Sequence, residues 1–170
     1  MKKLNTKDFV LISILIGLNV VLARLLSINA WNVKVGFAFI TVFVGAYMYG
    51  PMGGAIVNGI GDLIGALLFP VGPYYPAFTL TAILVGIVFG LFIKKEYKLS
   101  SVVIACLINE IILSLFLNTY WISVLYNANF KALFLTRIIQ CVVMSVVEIL
   151  SIQLLSKSMP KLERKFNNEL

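Results

Sequence analysis

Six apolar segments, separated by short polar stretches, set the pattern of hydrophobic and polar positions along this chain of 170 residues. A helix needs about 20 residues to cross a membrane, so the chain holds roughly six such helices and little else. The pattern predicts an all-α fold, a six-helix transmembrane bundle that forms a single integral-membrane domain over residues 1–170. The predicted helices are Phe9–Ile28, Gly36–Tyr49, Gly53–Phe69, Ala77–Ile93, Ser101–Leu125 and Ala132–Leu155.

The second and third segments are short, and they are joined by the turn Gly50-Pro-Met-Gly-Gly54. Proline and glycine both favour such a tight turn. Helices this short are expected to be tilted, or to be broken where they line a cavity.

The composition indicates that lipid is the main solvent of this chain. Hydrophobic residues make up 61% of the sequence and charged residues 12%, whereas about a quarter of a soluble domain is charged. Histidine is absent, which removes the most common metal ligand and proton shuttle. No phosphate-binding loop Gly-x-x-x-x-Gly-Lys-Ser/Thr occurs either. We therefore predict no enzyme activity, no cofactor and no metal site, and we interpret Cys106 and Cys141 as buried thiols rather than as a disulfide or metal ligands.

The basic residues predict the orientation of the chain in the membrane. Most of the 14 lysines and arginines lie in three clusters at segment ends: Lys2, Lys3 and Lys7; Lys94, Lys95 and Lys98; and Lys157, Lys161, Arg164 and Lys165. Basic residues collect on the cytoplasmic side, so both termini of this multi-pass cell-membrane protein are predicted to be cytoplasmic. The clusters form no continuous stripe, and no nucleic-acid partner is expected.

Polar residues from distant parts of the chain are predicted to lie at a similar depth on the extracellular side. With a rise of about 1.5 Å per residue, Arg24 lies roughly 25 Å beyond Lys7, near the outer surface. Asn118 and Trp121 lie about 30–35 Å beyond Lys98, and Arg137 lies about 9 Å below the outer surface. We infer that these groups line a pocket for a flat, anionic small molecule that enters from outside.

Each of these groups also has a simpler interpretation. Arg24 either extends to the lipid headgroups or pairs with an anion, whereas a cation as deep in a helix as Arg137 usually faces a cavity or a partner. The outer aromatic residues form either an interfacial belt or a stacking surface for a heteroaromatic ring. They are Tyr74, Tyr75, Phe78, Tyr120, Trp121 and Tyr126.

Three acidic residues lie within the predicted helices. Asp62, about 15 Å into the third helix, is either a structural carboxylate at a helix contact or part of a proton relay. Glu110 bonds either to a ligand or to another helix, and Glu148 is interpreted as structural. In the first helix, Ser13 and Gly17 form a small-xxx-small spacing that allows close approach of another helix, either within the bundle or from a partner.

Several stretches carry a resemblance to a known family: Leu22-Ala-Arg-Leu-Leu-Ser-Ile28, Gly61-Asp-Leu-Ile-Gly65, Leu68-Phe-Pro-Val-Gly-Pro-Tyr-Tyr-Pro76 with Phe78-Thr-Leu-Thr81, Leu117-Asn-Thr-Tyr-Trp-Ile-Ser-Val-Leu-Tyr126, and Lys131-Ala-Leu-Phe-Leu-Thr-Arg137. In them the chain resembles the substrate-binding S components of energy-coupling factor (ECF) vitamin transporters, specifically the folate-binding branch. The resemblance spans nearly the whole chain.

The resemblance implies high-affinity capture of folate outside the cell and its release inside when an ATP-driven coupling module reorients the binder. That module would comprise one transmembrane coupling protein and two ATPase subunits, and Ser13 and Gly17 would contact the coupling protein. The substrate-binding residues implied are Arg24, Lys34, Tyr74, Tyr75, Phe78, Asn109, Asn118, Trp121 and Arg137.

Three alternatives to folate capture follow from the same residues. The first is an S component for another vitamin or a queuosine-type precursor. The second is a stand-alone secondary transporter driven by Asp62 and Glu110, and the third is a purely structural membrane subunit.

Overall fold

Helices account for most of the computed structural model, which describes residues 5–30, 33–93 and 98–168. The six helices are α1 (Thr6–Leu25), α2 (Phe39–Leu68), α3 (Pro76–Phe92), α4 (Leu99–Tyr126), α5 (Phe130–Ser156) and α6 (Met159–Asn168). Helices α1, α2, α4 and α5 are long and apolar enough to cross a membrane. The predicted helical membrane bundle is therefore confirmed.

The predicted second and third membrane helices are the two arms of α2, residues 39–49 (α2a) and 51–68 (α2b). Gly50 has φ 68°, ψ −157°, in the left-handed region that glycine tolerates, and Pro51 follows it. The arms fold back on one another, since Gly45 lies against Val57. The Gly-Pro turn predicted from the sequence is thus the hinge of a helical hairpin.

Two elements were not predicted from the sequence. Strands β1 (Ile28–Ala30) and β2 (Val33–Val35) form a short antiparallel hairpin between α1 and α2, with Asn29 paired to Lys34. The second is α6, which follows α5 directly. Lys2, Lys3, Lys94 and Lys95, on which part of the orientation prediction rests, lie outside the described residues.

Local sequence signals explain where several helices begin and end. Asn5 and Asp8 form a capping box at the start of α1, and Pro76 occupies the first turn of α3. Asn129 caps α5 by accepting from the Lys131 amide at 2.9 Å. Asn127 takes the left-handed conformation that ends α4.

The α2 hairpin is the centre of the bundle. Gly54 of α2b lies directly against Gly86 of α3, and Pro51 lies against Gly90, so the two backbones touch. Below this contact, large apolar side chains from α2, α3 and α5, among them Phe43, Phe89 and Ile152, form a fully buried core. Close backbone approach is how helices pack where lipid provides no hydrophobic drive.

One buried amide attaches α1 to both arms of α2. Asn19, 1% exposed, donates to Thr41 Oγ1 at 2.9 Å and to Asn58 Oδ1 at 3.4 Å. The Asn19 side chain also contacts Gly61, where a larger residue would displace it. These contacts fix the end of α1 that carries Arg24.

We expect Gly86→Ala to destabilise the protein by about 2 kcal/mol, because the added methyl group meets the Gly54 backbone rather than a mobile side chain. Thermal unfolding of the purified protein measures the effect. Gly17→Ala is the matched control, because nothing lies within 4 Å of a methyl group added there. Equal melting temperatures for the two variants would contradict the close α2–α3 contact.

Candidate ligand-binding site

A cavity of about 530 Å³ lies at the end of the bundle where α1 and α4 end and α5 begins. This end is opposite to the helix ends that carry Lys7, Lys98 and Lys157. The residues that line it are Arg24, Lys34, Asn58, Asp62, Ala66, Pro70, Val71, Gly72, Pro73, Tyr74, Tyr75, Phe78, Thr81, Ala82, Val85, Asn118, Ile122, Leu125, Tyr126 and Arg137. Every helix from α1 to α5 therefore contributes to one cavity.

Arg24 and Asp62 form an ion pair in the cavity wall. Arg24 Nη2 lies 3.2 Å from Asp62 Oδ1, and the side chains are 12% and 21% exposed. Thr79 Oγ1 donates to the second carboxylate oxygen at 2.9 Å. Arg24 therefore turns inward and does not extend to the lipid headgroups.

The length of the Arg24 side chain explains how it reaches Asp62. The helical rise placed Arg24 near the outer surface and Asp62 near mid-membrane, and the Arg24 side chain spans the difference, passing Gly65 three residues along α2b from Asp62. The last turn of α1, Val21–Leu25, is π-helical. Such turns are frequent at functional sites.

Arg137 is a buried cation of the cavity that makes no direct ion pair among the described residues. The residue is 4% exposed, and its Nη2 donates to Ser114 Oγ at 3.4 Å. Nε and Nη1 are buried without a hydrogen-bond partner. Among the described residues, no carboxylate oxygen lies within 4.0 Å of this guanidinium.

Lys34 brings a second cation to the cavity from β2, outside the spanning helices. Gln140 of α5 holds this strand, donating to the Lys34 carbonyl oxygen at 2.7 Å. Part of the residue is exposed, but its ammonium end reaches into the cavity. Burial, followed by the nearby charge of Arg24, lowers the pKa of Lys34 to about 8, while Asp62 acts in the opposite direction.

Aromatic side chains form part of the cavity wall. The ring centroid of Tyr75 lies 6.0 Å from that of Phe78 and 6.1 Å from that of Trp121. Trp121 stands behind the lining residues, and its indole nitrogen donates to Thr81 Oγ1 at 3.2 Å. Tyr120 packs edge-on against Trp121, with ring centroids 5.0 Å apart. The cluster offers a rigid apolar surface to a flat ring.

The structure brings most of the predicted site residues together. Seven of them line the cavity: Arg24, Lys34, Tyr74, Tyr75, Phe78, Asn118 and Arg137. Asn109 is not among them. Its amide nitrogen instead donates to Glu148 at 2.9 Å, in a buried position between the cavity and the lysine-rich helix ends.

Three polar lining residues were absent from the predicted set: Asp62, Asn58 and Thr81. The sequence allows Asp62 to be either a structural carboxylate at a helix contact or part of a proton relay. The structure places it in the cavity wall, paired with Arg24. The sequence did contain a signal for Asp62, since an acidic residue within a spanning helix requires a partner. Asn58 carried no such signal, because an amide serves equally well in helix packing.

A second surface lies on α1. Gly17 is exposed with open space around it, and Ser13, also exposed, bonds back to the Phe9 carbonyl oxygen at 2.9 Å. The small-xxx-small face therefore points away from the bundle. It is not used for packing among the described residues.

The chain is similar to known membrane transport proteins. A family model described as the substrate-specific component of ECF transporters matches residues 7–156. The folate transporter FolT of Clostridium novyi (strain NT) is 32% identical over 164 residues, covering 96% of this chain and 94% of that protein. The FolT of Leuconostoc mesenteroides subsp. mesenteroides is 30% identical over 154 residues, covering 86% and 83%.

A solved structure has the same fold. A crystal structure of FolT bound with folic acid matches with a TM-score of 0.80 and 30% sequence identity, over 87% of this chain and 90% of that chain.

We expect Arg24→Met and Asp62→Asn each to destabilise the protein by roughly 3 kcal/mol, because each leaves a largely buried charge without its partner. Thermal unfolding of both single variants and of the double variant measures the coupling. The double variant should lose much less stability than the sum of the single changes. A stability loss in the double variant equal to the sum of the two single losses would contradict the ion pair.

Proposed function

The chain belongs to the substrate-specific components of ECF transporters, and from that premise we propose that its ligand is folate. The observation that carries the proposal is Arg137, a guanidinium buried in the cavity wall with two unpartnered nitrogen atoms. A buried cation that faces a cavity requires an anion, or its desolvation is left uncompensated. Folate combines carboxylates with a flat heteroaromatic ring.

The ring of the ligand is assigned to the aromatic side of the cavity. Tyr75 and Phe78 offer faces and edges for offset stacking, and Trp121 supports them from behind. Asp62 and Asn58 lie in the same space. Their oxygen atoms accept hydrogen bonds, which suits the N–H groups of a pterin.

The carboxylates of the ligand are assigned to Arg137 and Lys34. Arg24 is already neutralised by Asp62, so it contributes hydrogen bonds rather than net charge. Asn118 has a buried, unpartnered Oδ1, which accepts a further donor from the ligand. Tyr74 lies at the proline-rich connection before α3, where it borders the cavity. This proposal leaves out Asn109.

Capture takes place on the extracellular side in this proposal. The cavity lies at the end of the bundle opposite to Lys7, Lys98 and Lys157, and the positive-inside rule assigns lysine-rich ends to the cytoplasm. Energy comes from partner subunits: a transmembrane coupling protein and two ATPases. The open Ser13–Gly17 face of α1 is the proposed contact with the coupling protein.

The direct test is titration of the purified protein with folate, riboflavin, thiamine and biotin. Folate alone should bind at micromolar concentration or below. Binding of another vitamin in its place would reject the choice of ligand while keeping the family. Uptake into vesicles without a coupling module would instead favour a secondary transporter.

We expect Arg137→Ala and Trp121→Ala each to weaken folate binding at least tenfold, about 1.4 kcal/mol or more. The first removes the cation for a carboxylate, and the second removes the support of the stacking surface. Calorimetric titration measures both affinities. Arg164→Ala in the exposed part of α6 is the matched control and should bind like the unaltered protein. Unchanged affinity in the Arg137 variant would remove it from the site.

We expect Gly17→Leu to leave folate binding intact but to abolish assembly with the coupling module, because the side chain blocks close helix approach. Co-purification with the module and folate uptake measure the effect. Gly17→Ala should retain assembly, and Val143→Phe, which adds as many carbon atoms as Gly17→Leu, is the control on the exposed side of α5. A Gly17→Leu variant that still assembles would refute the proposed contact.

A further inference from the structure

Two buried carboxyl groups lie between the cavity and the lysine-rich helix ends. Glu110 of α4 is 6% exposed and Glu148 of α5 is 2% exposed. The amide nitrogen of Asn109 bridges them, 3.3 Å from Glu110 Oε1 and 2.9 and 3.1 Å from the two Glu148 oxygens. Glu110 Oε2 is buried without a hydrogen-bond partner.

Two negative charges this close cannot both persist inside a membrane bundle unless cations offset them. From α4 and α5, Cys106, Ser114 and Cys141 face the pair, and Tyr47 of α2 packs in the same core. Helix α3 has no titratable side chain. Arg137 is the cation beside the pair in the described part of the chain.

Arg137 connects the acid pair to the cavity. Its Nη2 donates to Ser114 Oγ at 3.4 Å, and the Cys141 thiol lies 3.6 Å from the same oxygen. Both side chains lie beside Glu110. The guanidinium therefore attracts negative charge on Glu110 from one side, and on the other side it lines the ligand cavity.

We propose that Glu110 and Glu148 form a proton-binding site, and that anion binding in the cavity is linked to proton uptake there. The proposal rests on the assignment of a ligand carboxylate to Arg137. In the empty protein the guanidinium stabilises Glu110 as a carboxylate. A bound carboxylate neutralises that cation, and an oxygen of Glu110 then takes up a proton from solvent and, as an O–H group, donates a hydrogen bond to Glu148.

The experiment counts protons during folic acid binding to the purified full-length protein. Calorimetric titrations at about pH 6.5 in phosphate and in imidazole, which differ in ionisation enthalpy, give the net proton uptake for each ligand bound. At this pH Lys34, with a pKa of about 8, is already charged and adds almost nothing. The carboxyl groups of free folic acid have pKa values well below the pH of the experiment and are already ionised.

Two variants and one control locate the proton. Glu110→Gln and Glu148→Gln keep the shape of the side chains and remove one titrating group each. Glu163→Gln makes the same chemical change in α6, far along the chain from the cavity. Folic acid binding by a variant shows that it is folded, and either Glu variant alone suffices for the test.

The unaltered protein and Glu163→Gln should each take up a measurable fraction of one proton, and the uptake should disappear in Glu110→Gln and Glu148→Gln. Folate affinity in these two variants should change less with pH than in the unaltered protein. Folate binding without proton uptake, or uptake that persists in both variants, would overturn the linkage alone. Absence of folate binding in the unaltered protein would overturn the proposed function and the linkage with it.

Discussion

Every polar group inside this membrane bundle must find its partner within the protein, because the lipid interior offers none. Asn19 meets the requirement by joining α1 to both arms of α2, and Asp62 meets it by pairing with Arg24. These bonds determine how the helices are placed at the cavity. In the described part of the chain, Arg137 is buried with two guanidinium nitrogens unpartnered, and the proposed ligand would supply the anion that meets them.

The fold was predictable because lipid imposes a simple pattern on sequence. Apolar segments of spanning length gave the helices, and Gly50 with Pro51 gave the reversal within α2. The β hairpin was not predictable, since three-residue strands leave too short a pattern to recognise. Helix α6 was missed for another reason: its charged composition resembles a solvated tail more than a helix.

The site was predictable to the extent that its residues are costly in a membrane. Arg137 within a helix, together with polar and aromatic groups predicted at the outer side, indicated the cavity, and seven of the residues expected there line it. Asn109 shows the limit of this reasoning. An amide satisfies a ligand and a neighbouring helix equally well, and only the packing of α4 against α5 reveals that Glu148 is its partner.

The middle of α4, Ile108–Asn118, is wound as a π-helix, and this winding has a geometric consequence. Asn109 and Asn118 are nine positions apart, or two and a half turns of an ordinary α-helix, which would set them on opposite sides. A π-helix bonds i to i+5 and therefore takes more residues for each turn, so the same nine positions make close to two full turns and bring both amides toward one side. Rewinding this stretch would swing the outer end of α4 by nearly half a revolution. The winding of this one segment therefore sets the direction in which α4 presents both its cavity-lining residues and its member of the acid pair.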